Sequence, residues 1–217
     1  MSTNTKSSAQ AVGLQVRQQG LIAIVRGNFS RAQVLAIAEV LHTHNILVME
    51  VTLNTTGALE TIATLRKEFA TLWVGAGTVR TAAQFAQATA AGAQFTVAPN
   101  LDPATVAAAQ RQDLLHLPGV FTPSEVQNAY VLGCRLVKLF PSEIVGPRYL
   151  KALRAPLDDI DLVPTGGISP ENVADYVKAG AAAAGIGSAL ITGPTQDLDD
   201  LAARARALRA AWDAAKK

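Results

Sequence analysis

The sequence predicts one α/β domain built as a closed (β/α)8 barrel. Three observations carry that prediction. Short apolar runs alternate with longer Ala-rich segments of helical spacing along the 217 residues. The runs are apolar at consecutive positions, as parallel strands are when helices cover both faces of their sheet. The strand-loop-helix unit recurs about eight times at about twenty-odd residues each, the number that closes a barrel. An open doubly wound sheet is the competing architecture. The even spacing and the lack of G-x-G-x-x-G after the first run favour the barrel. No linker divides the chain, so the domain is expected over residues 13–217, with a flexible tail over 1–12.

The expected strands are, in order, 21–25 (L-I-A-I-V), 47–51 (L-V-M-E-V), 72–76 (L-W-V-G-A), 94–98 (Q-F-T-V-A), 114–117 (L-L-H-L), 135–140 (R-L-V-K-L-F), 161–164 (D-L-V-P) and 182–187 (A-A-A-G-I-G). Helix starts are marked by Thr81, Asp102-Pro103, Thr122-Pro123 and Ser169-Pro170. Each offers a capping oxygen, and in the last three a proline suited to the first helical position follows. Glycine closes the preceding helix in A-A-G-A-Q-F (90–95), V-L-G-C-R-L (131–136) and K-A-G-A-A-A (178–183), as a left-handed cap does.

Composition narrows the function. Hydrophobic residues make up 49% of the chain and charged ones 17%, with a formal charge of +2, which describes a compact globule. No stretch is basic enough for a nucleic-acid groove, and no apolar run reaches the roughly 18–20 residues of a membrane span. Cys134 is the only cysteine, which excludes an intrachain disulfide and Cys-based zinc sites. His42 and His44 form an H-x-H too sparse for a metal site, and His116 stands alone. The polar N-terminus is not followed by a signal-peptide run, so the cytoplasm is the expected compartment.

In a barrel of this kind the reacting groups sit at the C-terminal ends of the strands. Side chains alternate in and out along each strand. Leu136, Lys138 and Phe140 therefore share one face, and Val48 and Glu50 share one face of the second strand. The positions between them are apolar and suit the helix layer, so Lys138 and Glu50 are expected to point into the barrel near its top. Lys138 is the only lysine inside a strand; Asp113 and Asp161 precede or begin strands and fall at the wrong end. A desolvated lysine becomes a neutral amine more readily, and a neutral amine can attack a ketone to make a Schiff base. A nearby carboxylate can relay the protons. The alternative is a buried Lys138–Glu50 ion pair that only fixes the fold.

P-T-G-G-I-S-P (164–170) and G-I-G-S-A-L (185–190) follow the seventh and eighth strands, where barrels often bind phosphate. Gly166, Gly167, Gly187 and Ser188 are the phosphate candidates, with plain β-to-α turns as the alternative. Arg26 ends the first strand and suits a carboxylate or phosphate, or else an exposed rim. G-A-G-T (75–78) brings Gly77 and Thr78 to the top, though a tight turn with a capping threonine fits equally. For Pro99-Asn100 an ordinary loop is the favoured reading.

The stretches I-A-I-V-R (22–26), M-E-V-T-L (49–53), V-G-A-G-T-V (74–79), V-K-L-F-P (137–141) and P-T-G-G-I-S (164–169) resemble the 2-keto-3-deoxy-6-phosphogluconate aldolase family in letters, order and strand position. The resemblance runs from about Gly20 to Leu190. It implies a class I aldolase on a TIM-type barrel, a homotrimer that needs no metal or cofactor. It further implies Lys138 as the Schiff-base lysine, Glu50 as the general acid/base, and Thr78 and Thr165 as holders of the pyruvyl unit. The glycines after Thr165, with Gly187 and Ser188, would hold the phosphate.

Many gluconate-type members carry an arginine where this chain reads E-V-T-L-N-T, so Asn54 stands in the place of a carboxylate-binding cation that Arg26 would have to supply. I-V-R, L-N and A-P-N (98–100, with Pro99) also resemble the phosphogalactonate branch, whose substrate differs at C4. The reaction expected is reversible cleavage of a 2-keto-3-deoxy-6-phospho sugar acid, of gluconate or galactonate type, to pyruvate and D-glyceraldehyde 3-phosphate. The rivals are a phosphate-binding barrel of another reaction, such as an isomerase or a thiamine-phosphate-synthase-like enzyme, and a non-catalytic sugar-phosphate module.

Overall fold

The computed structural model of the chain describes residues 8–216. It begins with α1 (Ser8–Gln19), so the helix takes in residues 8–12 of the expected tail, and residues 1–7 lie outside the described part. Val12 and Val16 stand one helical turn apart and are both buried, which draws this segment into the core. The first helix therefore starts before residue 13, where the barrel domain was expected to begin.

Eight strand positions follow. They are β1 (Leu21–Val25), β2 (Val48–Thr52), β3 (Trp73–Gly77), β4 (Phe95–Val97), a fifth split into β5 (Leu115–Leu117) and β6 (Gly119–Val120), β7 (Leu136–Leu139), β8 (Asp161–Pro164) and β9 (Ala184–Ile186). Pro118 splits the fifth because it has no N–H for the ladder, and the strand resumes beyond the end expected at 117. All pairings are parallel, in the orders β5-β4-β3-β2-β1-β9 and β6-β7-β8. A Thr165–Gly185 bridge and a 3.0 Å bond from the Ala182 N–H to the Leu162 carbonyl join the two ladders on one side. On the other side the chain itself runs through Pro118, whose carbonyl accepts from the Lys138 N–H at 2.9 Å. The sheet thus curls into the expected (β/α)8 barrel.

The outer layer consists of α2 (Arg31–Thr43), α3 (Ala58–Glu68), α4 (Ala82–Ala90), α5 (Pro103–Arg111), α6 (Pro123–Val131), α7 (Gly146–Arg154), α8 (Val173–Lys178) and α9 (Leu198–Ala215). Thr81, Asp102 and Thr122 cap α4, α5 and α6 as expected, the last in a full capping box. Ser169 does not cap α8. A turn intervenes, Asn172 precedes the helix, and its side-chain oxygen accepts from the Ser169 N–H. Gly92, Gly133 and Gly180 all have positive φ, the left-handed closure their spacing predicts.

Two apolar layers result from strand alternation. Ala23, Met49, Val51, Val74, Val137, Leu139 and Leu162 face outward into the main core beneath the helices. Ile22, Val48, Phe95, Val97, Leu117, Leu136 and Val163 fill the barrel, with Val12 and Val16 of α1 packed among them. That second set occupies the lower lumen, so α1 closes the N-terminal end. Arg17 of α1 holds Asp161 at the foot of β8 with a 2.6 Å bond. The polar lumen positions all lie above this plug.

Candidate active site

Glu50 of β2 and Lys138 of β7 project into the upper lumen, as strand parity predicts. Each is almost wholly buried, at 2% and 8% exposure. Among the described residues the four ion pairs lie elsewhere, so the Lys138–Glu50 pair is not closed. The two charges sense each other without contact. Burial is the main reason the Lys138 amine is held below its ordinary range; Glu50 opposes that shift and Arg26 adds to it. Burial likewise raises Glu50, against the pull of Lys138 and then of Arg26. The Lys138 amine also lies over the Phe140 ring, 4.8 Å from its centroid.

The inward positions of β3 explain how Glu50 fits. Trp73, Gly75 and Gly77 share that face. A side chain on Gly75 would enter the Phe95 ring at 2.5 Å. One on Gly77 would strike the Glu50 carboxylate at 2.5 Å and the Thr52 methyl at 2.9 Å. Gly77 therefore supplies the space in which the carboxylate sits. Thr78, next along the chain, has a φ of 59°, a left-handed conformation rare for a β-branched residue. It is only partly buried, at the rim.

The other candidates also fall at the tops of strands. Arg26 follows β1 and is exposed, yet its charge reaches both Glu50 and Lys138. Asn54 is exposed on the loop after β2, and Pro99 is half-buried after β4. Thr165 is buried, with its hydroxyl leaning over Gly185, where a side chain would meet it at 2.5 Å. Gly166 and Gly167 have φ of 97° and 69°, and Glu143 packs against Gly167. A side chain at Gly187 would meet nothing within 4 Å. Among the described residues the N–H groups of Gly167, Gly187 and Ser188 have no acceptor within the chain, which leaves them to a ligand or water.

Of the other groups at this end, Ser142 and Thr55 carry no clear signal in the sequence. Ser142 is fully buried; its hydroxyl donates to the Leu139 carbonyl at 2.8 Å and accepts from the Thr165 N–H at 3.1 Å. It ties the end of β7 to the end of β8. Thr52 and Thr55 are buried, with hydroxyls 3.1 Å apart. Thr52 lies two positions beyond Glu50, so parity alone places it in the lumen. A cavity of about 630 Å³ lies beside the lysine rather than around it, and is lined by Pro99, Asn100, Gly119, Phe121 and Phe140 among others. Among the described residues no three His, Cys, Asp or Glu side chains gather as a metal site requires. No described helix is long and apolar enough to cross a membrane.

Residues 12–205 match the family model described as KDPG and KHG aldolase. The chain is 42% identical to the 2-dehydro-3-deoxy-phosphogluconate aldolase of Treponema pallidum over 142 residues, 65% of this chain and 68% of that one. It is 34% identical to a probable 2-dehydro-3-deoxy-6-phosphogalactonate aldolase of Rhizobium meliloti over 205 residues, 94% of this chain and 96% of the other. Among solved structures it is similar to a KDPG aldolase of Legionella pneumophila, captured with pyruvate as a covalent carbinolamine. There the TM-score is 0.80 and the identity 28%, over 94% of this chain and 98% of that one.

Proposed function

This chain belongs to the KDPG and KHG aldolase family, and from that premise we propose that it cleaves a 2-keto-3-deoxy-6-phospho sugar acid, reversibly, to pyruvate and D-glyceraldehyde 3-phosphate. The observation that carries the proposal is Lys138, a buried amine in the upper lumen with no ion-pair partner among the described residues. Burial favours its neutral form, which is the nucleophilic one.

The neutral amine adds to the C2 ketone and gives a carbinolamine. Loss of water then gives an iminium. Glu50 takes the proton of the C4 hydroxyl, the C3–C4 bond breaks, and its electrons flow into the iminium to make an enamine. The aldehyde departs. A proton returned to C3 and hydrolysis of the imine release pyruvate and restore the amine. A carboxyl group with a raised pKa suits this work, because it gains and loses protons closer to neutrality.

In this reading Arg26 meets the substrate carboxylate, while Thr78 and Thr165 hold the pyruvyl unit between Glu50 and Lys138. Gly77 keeps the wall of that pocket clear, and Pro99 borders it. Gly167, Gly187 and Ser188 take the phosphate through their N–H groups, with Gly166 turning the loop beside them, and the remote anion orients the reacting carbon. Asn54 stands where many gluconate-type members carry an arginine, and the proposed substrate is of gluconate or galactonate type. The family resemblance also supports a homotrimer, and with it a cytoplasmic enzyme that uses no metal or cofactor; the mass in solution tests the trimer.

Borohydride reduction in the presence of pyruvate, followed by peptide mass mapping, tests the chemistry. The expected result is one reduced adduct on Lys138. An unmodified chain would remove the aldolase reading. Comparing turnover of the gluconate and galactonate acids then fixes the C4 preference.

A further inference from the structure

We propose that Thr55 is the positioning residue for Arg26, acting through the backbone on either side of that arginine. Its hydroxyl lies 3.4 Å from the Val25 carbonyl, to which it donates, and 3.4 Å from the Gly27 N–H, from which it accepts. Val25 and Gly27 are the two chain neighbours of Arg26. The third partner is the Thr52 hydroxyl at 3.1 Å.

A hydroxyl has one proton to give and two lone pairs to receive. With its proton on the Val25 carbonyl, Thr55 accepts from the Gly27 N–H and from the Thr52 O–H. All its capacity is then used on groups around Arg26 and Glu50. Thr55 is 4% exposed, so water cannot readily take over these bonds.

What the clamp controls is electrostatic. The Arg26 side chain is exposed and no ion pair or side-chain hydrogen bond holds it among the described residues. Its backbone is therefore the part the fold can fix. Arg26 and Glu50 are the charged groups that act on Lys138. The other end of the clamp, Thr52, touches the same space at Gly77 as the Glu50 carboxylate. One buried hydroxyl thus joins the stem of the exposed cation to the strand that carries the acid. A valine has the shape of threonine without the hydroxyl; a serine keeps the hydroxyl without the methyl.

The inference rests on the aldolase reading and on Arg26 as the carboxylate partner. Four variants separate it from them: Thr55→Val, Thr55→Ser, Arg26→Met and the double change Arg26→Met with Thr55→Val. The assays are KM and kcat for cleavage, and the pH dependence of pyruvate trapping by borohydride. Thr55→Val should raise KM about tenfold, as for one lost charge-assisted contact, with a smaller change in kcat. It should also move the acid limb of the trapping profile to higher pH, because a displaced Arg26 no longer disfavours the charged amine. Thr55→Ser should recover most of the affinity. In the Arg26→Met background, Thr55→Val should add little.

A folded Thr55→Val enzyme with unchanged KM and pH profile would overturn the inference. So would additive losses in the double variant, or a serine variant as impaired as the valine one. If Thr55→Val does not fold, Thr55→Cys, with its weakly bonding thiol, replaces it in the same cycle under the same criteria. Failure of the aldolase reading would look different, since the unaltered protein would then neither turn over substrate nor trap pyruvate.

Discussion

Lys138 and His116 are both basic side chains sealed into the same barrel, and their surroundings have opposite consequences. Lys138 points inward near the mouth, with a carboxylate across the lumen and an aromatic face beside it. His116 points outward from β5 into the helix layer, where its Nδ1 meets the Thr96 hydroxyl at 2.8 Å and its ring meets Phe85 edge-on. The His116 Nε2 is buried without a partner among the described residues. Burial pushes the imidazole down to about 4, with Asp102 opposing from the start of α5. Both groups are thus driven toward neutrality by desolvation. Only the one that faces the mouth can use that neutrality on a substrate.

The sharpest break of this contrast is Lys138→Ala. Turnover should fall about 10⁴-fold or more, and the pyruvate adduct should vanish from the mass map while the circular dichroism stays native. A working Lys138→Ala enzyme would erase the distinction between the two residues.

The next effect belongs to His116. Its folded pKa lies below the unfolded one, so its contribution is complete above about pH 6.5 and is lost as pH falls toward 4. The span is worth about 3 kcal/mol. Urea midpoints between pH 7 and pH 4 should decline in the unaltered protein, and less steeply in His116→Asn. Equal slopes would mean that other groups govern acid unfolding. Glu50→Gln should cost slightly less in free energy, about 10²-fold in kcat, while pyruvate trapping on Lys138 persists.

The smallest effect concerns stability at the site itself. Because the Lys138 pKa is depressed on folding, holding its charged form in the lumen costs stability below its ordinary value of 10.5, and the cost grows as pH falls toward the folded pKa. Lys138→Met should therefore raise the stability at pH 7, read from urea unfolding, by about 1 kcal/mol or more while abolishing activity. A less stable variant would mean that the amine stabilises the barrel.

Much of this was legible in the letters. Consecutive apolar residues marked the strands, and two-residue parity alone turned Glu50 and Lys138 inward. The start of α1 was missed because Ser8 to Gln10 read as solvated chain, whereas Val12 and Val16 gain their burial from strands far along the sequence. The second half of the fifth strand hid behind Pro118, whose missing N–H ends a ladder locally although the chain direction continues. Ser169-Pro170 looked like a helix start and became a turn, because Asn172 takes the Ser169 N–H one turn later.

The site's supports were the least visible. In the sequence Gly77 reads as a glycine at the top of the third strand, or as part of a tight turn. That it houses Glu50 depends on the alignment of β2 with β3, where Thr52 is paired with Gly77. Thr55 lay beside the E-V-T-L motif, but its partners Val25 and Gly27 are distant in the chain, and spacing alone does not disclose them.

The helix that closes the foot of the barrel has a consequence for proton traffic. With Val12 and Val16 wedged among the lower lumen residues, the vessel is blind at one end. On the proposed mechanism, the water lost on forming the imine and the protons relayed by Glu50 would leave and enter at the open end, the same end at which Lys138 and Glu50 lie. Substrate entry and proton exchange would then share one route.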